Sequence, residues 1–388
     1  MSRVLFVVLA EKGHVHPFIG PAQALARREH VVGFYSPCDL RGPLGRAGIG
    51  EVFVGAHDEA PPDVNRGSAF AALVRDRQRL REWIHTMLVD SVPLEVERLT
   101  AVVAAFRPDV IVADPMAYAA PIVAARAGLP WAGVSTSLNP VVPDDWTSEL
   151  ITTTSALPRG ELFARYGVSG ARFCVSDCLS PYLNVVWSSE ELVGVAPPGV
   201  RLAGASLPLA ARGDEGDPLA LDPSRPLVLM ALGSQIYHQP RMFEVVVEAS
   251  RGRSWQLVLA MGGLADTMHV PPEVLALAYA PQPWLLARAR AMISHGGANS
   301  VMEALAQGVP LLVSPICNDQ PHNARFVAGA GAGITCDLSE AGPEQVGAHL
   351  AALCAEGQHR AAARRIADGY RAAGGATGVA RSIEALIR

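Results

Sequence analysis

Short β-branched apolar runs alternate along this chain with a turn and then a stretch rich in Ala, Leu and Arg. Val4 to Leu9 is the first such run and predicts a strand. Pro17 to Arg28 predicts the helix after it, with Pro17 in the first turn, where a missing N–H costs least. His30 to Tyr35, Asp109 to Ala113 and Trp131 to Ser135 predict further strands, the last two flanking an Ala-rich helix from about Ala117 to Ala127. Runs that stay apolar at nearly every position belong to strands covered on both faces, as in a parallel sheet.

The alternation breaks over residues 206–226, which are rich in Pro, Gly and Asp and have no helical period; such a stretch predicts an exposed linker. It resumes with Leu227 to Leu232, Gln256 to Met261, Ala291 to Ser294 and Pro310 to Ser314. The expectation is an α/β protein with an N-terminal domain over 1–205, a linker over 206–226 and a C-terminal domain over 227–388. The last helix is free to pack back on the first domain. Ligands of open parallel sheets bind beyond the carboxyl ends of the strands. Polar loops at those ends, facing each other, would form a cleft between the domains.

The chain has 388 residues, enough for two domains of roughly 200 each. Half of the residues are apolar and the net charge is −5, so no basic nucleic-acid footprint is expected. No run of about 18 apolar residues predicts a membrane span. The apolar start is followed by a polar Glu-Lys-Gly-His turn rather than a cleavage site, which fits a buried strand and a cytoplasmic protein. Six cysteines are scattered, at 38, 174, 178, 317, 336 and 354, and predict reduced thiols rather than a zinc site. A monomer or a homodimer is expected.

The most informative segment runs from Tyr279 to Asn323. A buried strand ending at Ser294 leads into His295, Gly296 and Gly297, and then into a helix ended by Gly308. Glycines let the backbone approach a ligand, and a helix start offers unpaired N–H groups to a phosphate. His295 and Ser300 add donors, and Glu303 lies one turn beyond Ser300 on the same face, placed to accept ribose hydroxyls.

Tyr279, Pro281 and Gln282, then His295, Gly297, Asn299, Ser300 and Glu303, then Gly308-Val309-Pro310, then Asp319, Gln320 and Asn323 together resemble a known signature. It is the nucleotide-sugar signature of the UDP-glycosyltransferase superfamily, in its bacterial natural-product branch. The resemblance implies the GT-B fold, two Rossmann-like domains facing a cleft. It implies that Tyr279 stacks on the base and Gln282 meets the nucleoside. Glu303 takes the ribose. His295, Gly296, Gly297, Asn299 and Ser300 take the diphosphate with Gly233 and Ser234, and Asp319 and Gln320 hold sugar hydroxyls. Tyr279 stands where plant members have Trp, so UDP and dTDP donors both stay open.

Transfer with inversion needs a base for the acceptor hydroxyl, and an imidazole suits that task. Gly13-His14 follows the first strand and resembles the family's Gly-His-x-x-Pro, with Pro17 as its proline; His16 is the competitor. Asp114, closing the Asp109–Ala113 strand, is the predicted carboxylate partner, whereas Asp109 lies at the wrong end of the sheet. No Asp-x-Asp motif sits at a strand end, so no metal or other cofactor is expected, the nucleotide sugar being a co-substrate. Residues 61–95, around Phe70, Trp83, Ile84 and Met87, and residues 138–182, around Leu138, Trp146, Phe163, Phe173 and Tyr182, are expected to line an apolar pocket for a small aglycone. A nucleotide-sugar epimerase of similar form, or a non-catalytic sugar-nucleotide-binding partner of another transferase, is the alternative. A dinucleotide oxidoreductase is disfavoured, since no G-x-G-x-x-G follows either first strand.

Overall fold

The computed structural model describes residues 1–54, 67–215 and 219–387. Residues 61–66 of the expected acceptor stretch and 216–218 of the expected linker lie outside the described residues.

The first half is built on the parallel strands β1 (Arg3–Val7), β2 (Val31–Ser36), β3 (Glu51–Val54), β4 (Val110–Ala113) and β5 (Trp131–Ser135). A small antiparallel hairpin, β6 (Arg172–Cys174) and β7 (Asp177–Leu179), precedes β8 (Leu183–Val186) and β9 (Val200–Leu202). The seven-stranded sheet has the order β3-β2-β1-β4-β5-β8-β9. The second half carries β10 (Leu227–Ala231), β11 (Gln256–Ala260), β12 (Leu275–Leu277), β13 (Ala289–Ser294), β14 (Leu311–Val313) and β15 (Gly333–Thr335), in the order β12-β11-β10-β13-β14-β15. Each sheet reverses its strand order beside its first strand, β1 or β10, and ligands of open α/β sheets bind beyond the strand ends at such a point.

The cores follow from the apolar runs. Val4, Phe6, Phe18 and Phe34 are buried on one face of the first sheet, with Phe6 stacked on Phe34 at 4.9 Å between centroids. Leu5, Ile111, Ala113, Ile122 and Leu99 fill the other face. The final helix, Gly375–Ile387, packs back on the first half. Its Val379 and Ile383 join the cluster around Phe18, and Glu384 accepts hydrogen bonds from Arg28 Nε at 2.6 Å and Nη2 at 2.8 Å. Among the described residues no helix is long and apolar enough to cross a membrane.

Two expectations are corrected. The first helix begins at Lys12, not Pro17, and runs to Ala26 with Pro17 and Pro21 in its interior. The segment expected to be an exposed linker is embedded at its start. Ser206 and Arg212 are buried, and Gln23 ties the segment down. The Gln23 amide donates to the carbonyls of Ala47 and Ala211, and its oxygen accepts the N–H groups of Leu209 and Ala210. Its polar side chains also reach the second half, Arg212 donating to Glu303 and Asp214 accepting from Tyr279, while residues 219–226 are exposed or half-buried.

Candidate active site

The facing ends of the two sheets border a cavity of about 490 Å³. On the first half its wall carries His14, in the opening turn of the Lys12–Ala26 helix, and Thr136, just past β5. His14 Nδ1 lies 2.6 Å from Asp114 Oδ2. Asp114 closes β4, is fully buried, and is held by the Met116 N–H on Oδ1 at 2.9 Å. Thr136 Oγ1 donates to Asp114 Oδ2 at 3.2 Å and lies 3.0 Å from His14 Nδ1. With Nδ1 engaged, Nε2 is the nitrogen left to exchange a proton with a ligand.

Burial alone would depress the His14 ring, but the charge and hydrogen bond of Asp114 overcome it and raise the ring to about 9. The competitor behaves oppositely. His16 sits 3.5 Å from Asp214 rather than beside Asp114, and burial, followed by the Arg212 charge, pushes it down to about 3.

The second half contributes the glycine turn. His295 is buried and Gly297 caps the Ala298–Ala306 helix without a side chain, so no side chain competes for the first N–H groups of that helix. Two glycines, Gly297 in the turn and Gly233 just past β10, are dictated by the imidazole. A methyl group on Gly297 would lie 2.5 Å from His295 Nε2, and one on Gly233, whose φ is +80°, would lie 2.9 Å from the same ring. Burial pushes His295 down to about 4, against a raising hydrogen bond at the Ala231 carbonyl, and Nδ1 is left without a partner. At neutral pH the ring is therefore uncharged, and it offers a ligand a dipole rather than a positive charge.

The nucleoside-binding candidates are gathered at one end of the cavity and already engaged. Gln282 Nε2 donates to Glu303 Oε2 at 2.8 Å, and Arg212 Nη1 donates to Oε1 at 2.6 Å. Arg212 Nε also donates to Asp214 Oδ1 at 2.6 Å, and the Tyr279 hydroxyl donates to Asp214 Oδ2. Lys12 Nζ lies 3.7 Å from the centroid of the Tyr279 ring. Arg212, Asp214 and Lys12 were not singled out in the sequence; the first two fall in the stretch read as linker, where a charge ordinarily means solvent.

Gly233, Ser234, Gly297, Asn299 and Ser300 all line the cavity, as do Asp319 and Gln320; Gly296 lies just behind, in the turn. Asp319, raised by burial, is held by Asn323 Nδ2 at 2.8 Å. Gln320 is committed to its own loop, its oxygen accepting the N–H groups of Ile316 at 2.9 Å and Cys317 at 3.0 Å. This caps the loop, and what remains for a sugar is the amide nitrogen, which itself donates to Cys317 Sγ at 3.6 Å.

The apolar wall comes from Phe70, Trp83, Ile84 and Met87, with Leu88, Met116 and Leu150 beside them. Leu138 and Trp146 do not line the cavity. Leu138 is buried in the core, and Trp146 packs on Phe326 at 4.8 Å between centroids with Arg325 over its ring at 4.0 Å. Trp146 is thus a contact between the halves. Phe163 and Phe173 pack edge-on against Tyr118, and Tyr182 is exposed, so none of these lines the cavity either.

This arrangement sets an imidazole with a free nitrogen across from a glycine turn and an uncapped helix start. Residues 62–212 match the N-terminal-domain model, and 256–386 the C-terminal-domain model, of a family described as erythromycin biosynthesis protein CIII-like. The elloramycin glycosyltransferase ElmGT of Streptomyces olivaceus is 30% identical, the match covering 95% of this chain and 93% of that protein. The chain belongs to this family of natural-product glycosyltransferases. The transferase shares its fold over its whole length with the glycotransferase of kitacinnamycin, at TM-score 0.78 and 24% identity, covering 100% of this chain and 99% of that one. It shares it also with the spinosyn rhamnosyltransferase SpnG complexed with thymidine diphosphate, at TM-score 0.75 and 20% identity, covering 98% and 100% of the two chains.

Proposed function

We propose that the transferase moves a sugar, with inversion, from a UDP- or dTDP-sugar to a hydroxyl of a small, largely apolar acceptor. His14 Nε2 takes the hydroxyl proton as the acceptor oxygen forms its bond to the anomeric carbon. The bond from that carbon to the diphosphate breaks, and the nucleoside diphosphate leaves with the electron pair. Asp114, helped by Thr136, holds Nδ1–H and stabilises the imidazolium as it forms. The His295 turn, the N–H groups at the start of the Ala298–Ala306 helix and Ser300 receive the growing phosphate charge, the kind of fixed-dipole stabilisation that commonly dominates such catalysis. No divalent ion takes part in this scheme.

The observation that carries this reading is the His14–Asp114 pair at 2.6 Å on the wall of the cavity that the His295 turn also lines. The binding of thymidine diphosphate by a protein of the same fold supports a nucleotide donor. The apolar wall around Phe70, Trp83 and Met87 supports an apolar acceptor. The epimerase and silent-partner readings are not favoured beside relatives that are transferases. Incubation with UDP- and dTDP-sugars and a panel of aglycones, read by mass spectrometry, tests the proposal. Products heavier by one hexose or deoxyhexose are expected, and their loss in His14→Ala. Parent-rate transfer by that variant would overturn the assignment of the base.

A further inference from the structure

The helix that carries His14 contains two residues that ordinarily break helices, and each leaves a carbonyl without its usual partner. In an uninterrupted helix the N–H of residue 17 would bond the Gly13 carbonyl, and that of residue 21 would bond the Pro17 carbonyl. Pro17 and Pro21 have no such N–H. Both freed carbonyls are taken by side chains from outside the helix. Asn299 Nδ2 donates to the Gly13 oxygen at 2.7 Å, and Ser206 Oγ donates to the Pro17 oxygen at 2.6 Å. The prolines are four residues apart, so the two carbonyls fall on one face of the helix.

The Gly13 bond has a particular place in the site. Its acceptor belongs to the residue before His14, and its donor to the second residue of the helix that follows the glycine turn. It crosses the cleft between the imidazole and the expected phosphate pocket. We propose that Pro17 and Asn299 form a clasp across the cleft, in which Pro17 keeps the Gly13 carbonyl open so that Asn299 can set the His14 turn against the phosphate turn. Asn299 is then a positioning residue for the transfer step, in addition to any contact with the donor. The Ser206 bond does the same for the start of the segment joining the halves. The clasp rests on the reading of His14 and the His295 turn given above.

Pro17→Ala restores the N–H that competes for the Gly13 carbonyl, and it replaces a helix breaker by the best helix former. The variant is therefore expected to melt no lower than the parent while turning over more slowly. A hydrogen bond of ordinary strength corresponds to a three- to tenfold loss in kcat, roughly, with the donor KM within about twofold. Asn299→Ala is expected to lower kcat as well. In the Asn299→Ala background, Pro17→Ala should add less than about twofold, because both act through one bond. Turnover of Pro17→Ala at the parent rate would overturn the clasp, and so would losses that multiply in the double variant. Should the parent transfer no sugar at all, the transferase scheme fails. The clasp is then read from melting temperatures in the same cycle, where additive shifts refute it and non-additive shifts support it.

Discussion

Replacing Asp114 by Asn separates the two effects that act on His14. In the parent, burial lowers the ring and Asp114 more than compensates, for a value of about 9 against the ordinary 6.5. That rise corresponds to about 3 kcal/mol of preference for the imidazolium. The folded value lies above the unfolded one, so this contribution to stability is complete below pH 6.5 and is lost as the pH rises through 9. It also means that only about one ring in a hundred is neutral at pH 7 in the free protein. The parent's kcat/KM is therefore expected to climb with pH and level off near 9, since this ratio reports the free enzyme. In Asp114→Asn the charge is gone while burial persists, and the limb should fall to 6.5 or below. The plateau should drop by roughly 20- to 300-fold, depending on how far the proton has moved in the transition state. At pH 7 the larger neutral fraction offsets this loss, and the two proteins should differ by no more than about fivefold. Initial rates from pH 6 to 10 on both proteins read the effect. A variant limb still near 9, or the same fold loss at pH 7 and pH 9.5, would refute the reasoning.

Three further outcomes follow from the geometry. Gly297→Ala places a methyl group 2.5 Å from His295 Nε2, and Gly297 has an ordinary negative φ of −59°, so the effect is one of space alone; calorimetry with UDP and TDP should show affinity reduced about tenfold or more, and parent-like affinity would contradict the role given to the turn. Arg212→Ala leaves the buried Glu303 with Gln282 as its remaining partner, and breaking a buried pair costs about 3 to 5 kcal/mol; a melting temperature equal to the parent's would show that the pair is solvated. Trp146→Ala removes a contact with Phe326 and Arg325 away from the cavity; the melting temperature should fall while the acceptor KM stays within about twofold, the reverse of what an acceptor-pocket residue would show.

Much of the fold was legible because parallel strands buried on both faces announce themselves. The runs beginning at Val4, Trp131, Leu227 and Gln256 became β1, β5, β10 and β11 with ends shifted by two residues or fewer. Short strands such as β3, β9 and β12 were not legible, since three or four residues carry no period. Pro17 was placed too late because proline is ordinarily read as a helix start, whereas here the surrounding structure makes use of its missing N–H. The glycine turn was legible because its chemistry is contiguous in sequence. Arg212 and Asp214 were missed because their partners, Glu303 and Tyr279, lie far along the chain. Trp146 was misplaced for a related reason: an aromatic in an irregular stretch looks the same whether it faces a ligand or the other half of the protein.

The central claim is that the turn at His295 receives the diphosphate of the donor across the cavity from His14. A crystal structure of the protein with UDP or TDP measures this directly. The account predicts phosphate oxygens within hydrogen-bond distance of the first N–H groups of the Ala298–Ala306 helix and of Ser300, with the base against Tyr279 and the ribose at Glu303. A nucleotide bound away from that turn, with Arg212 and Gln282 still closed on Glu303, would contradict it.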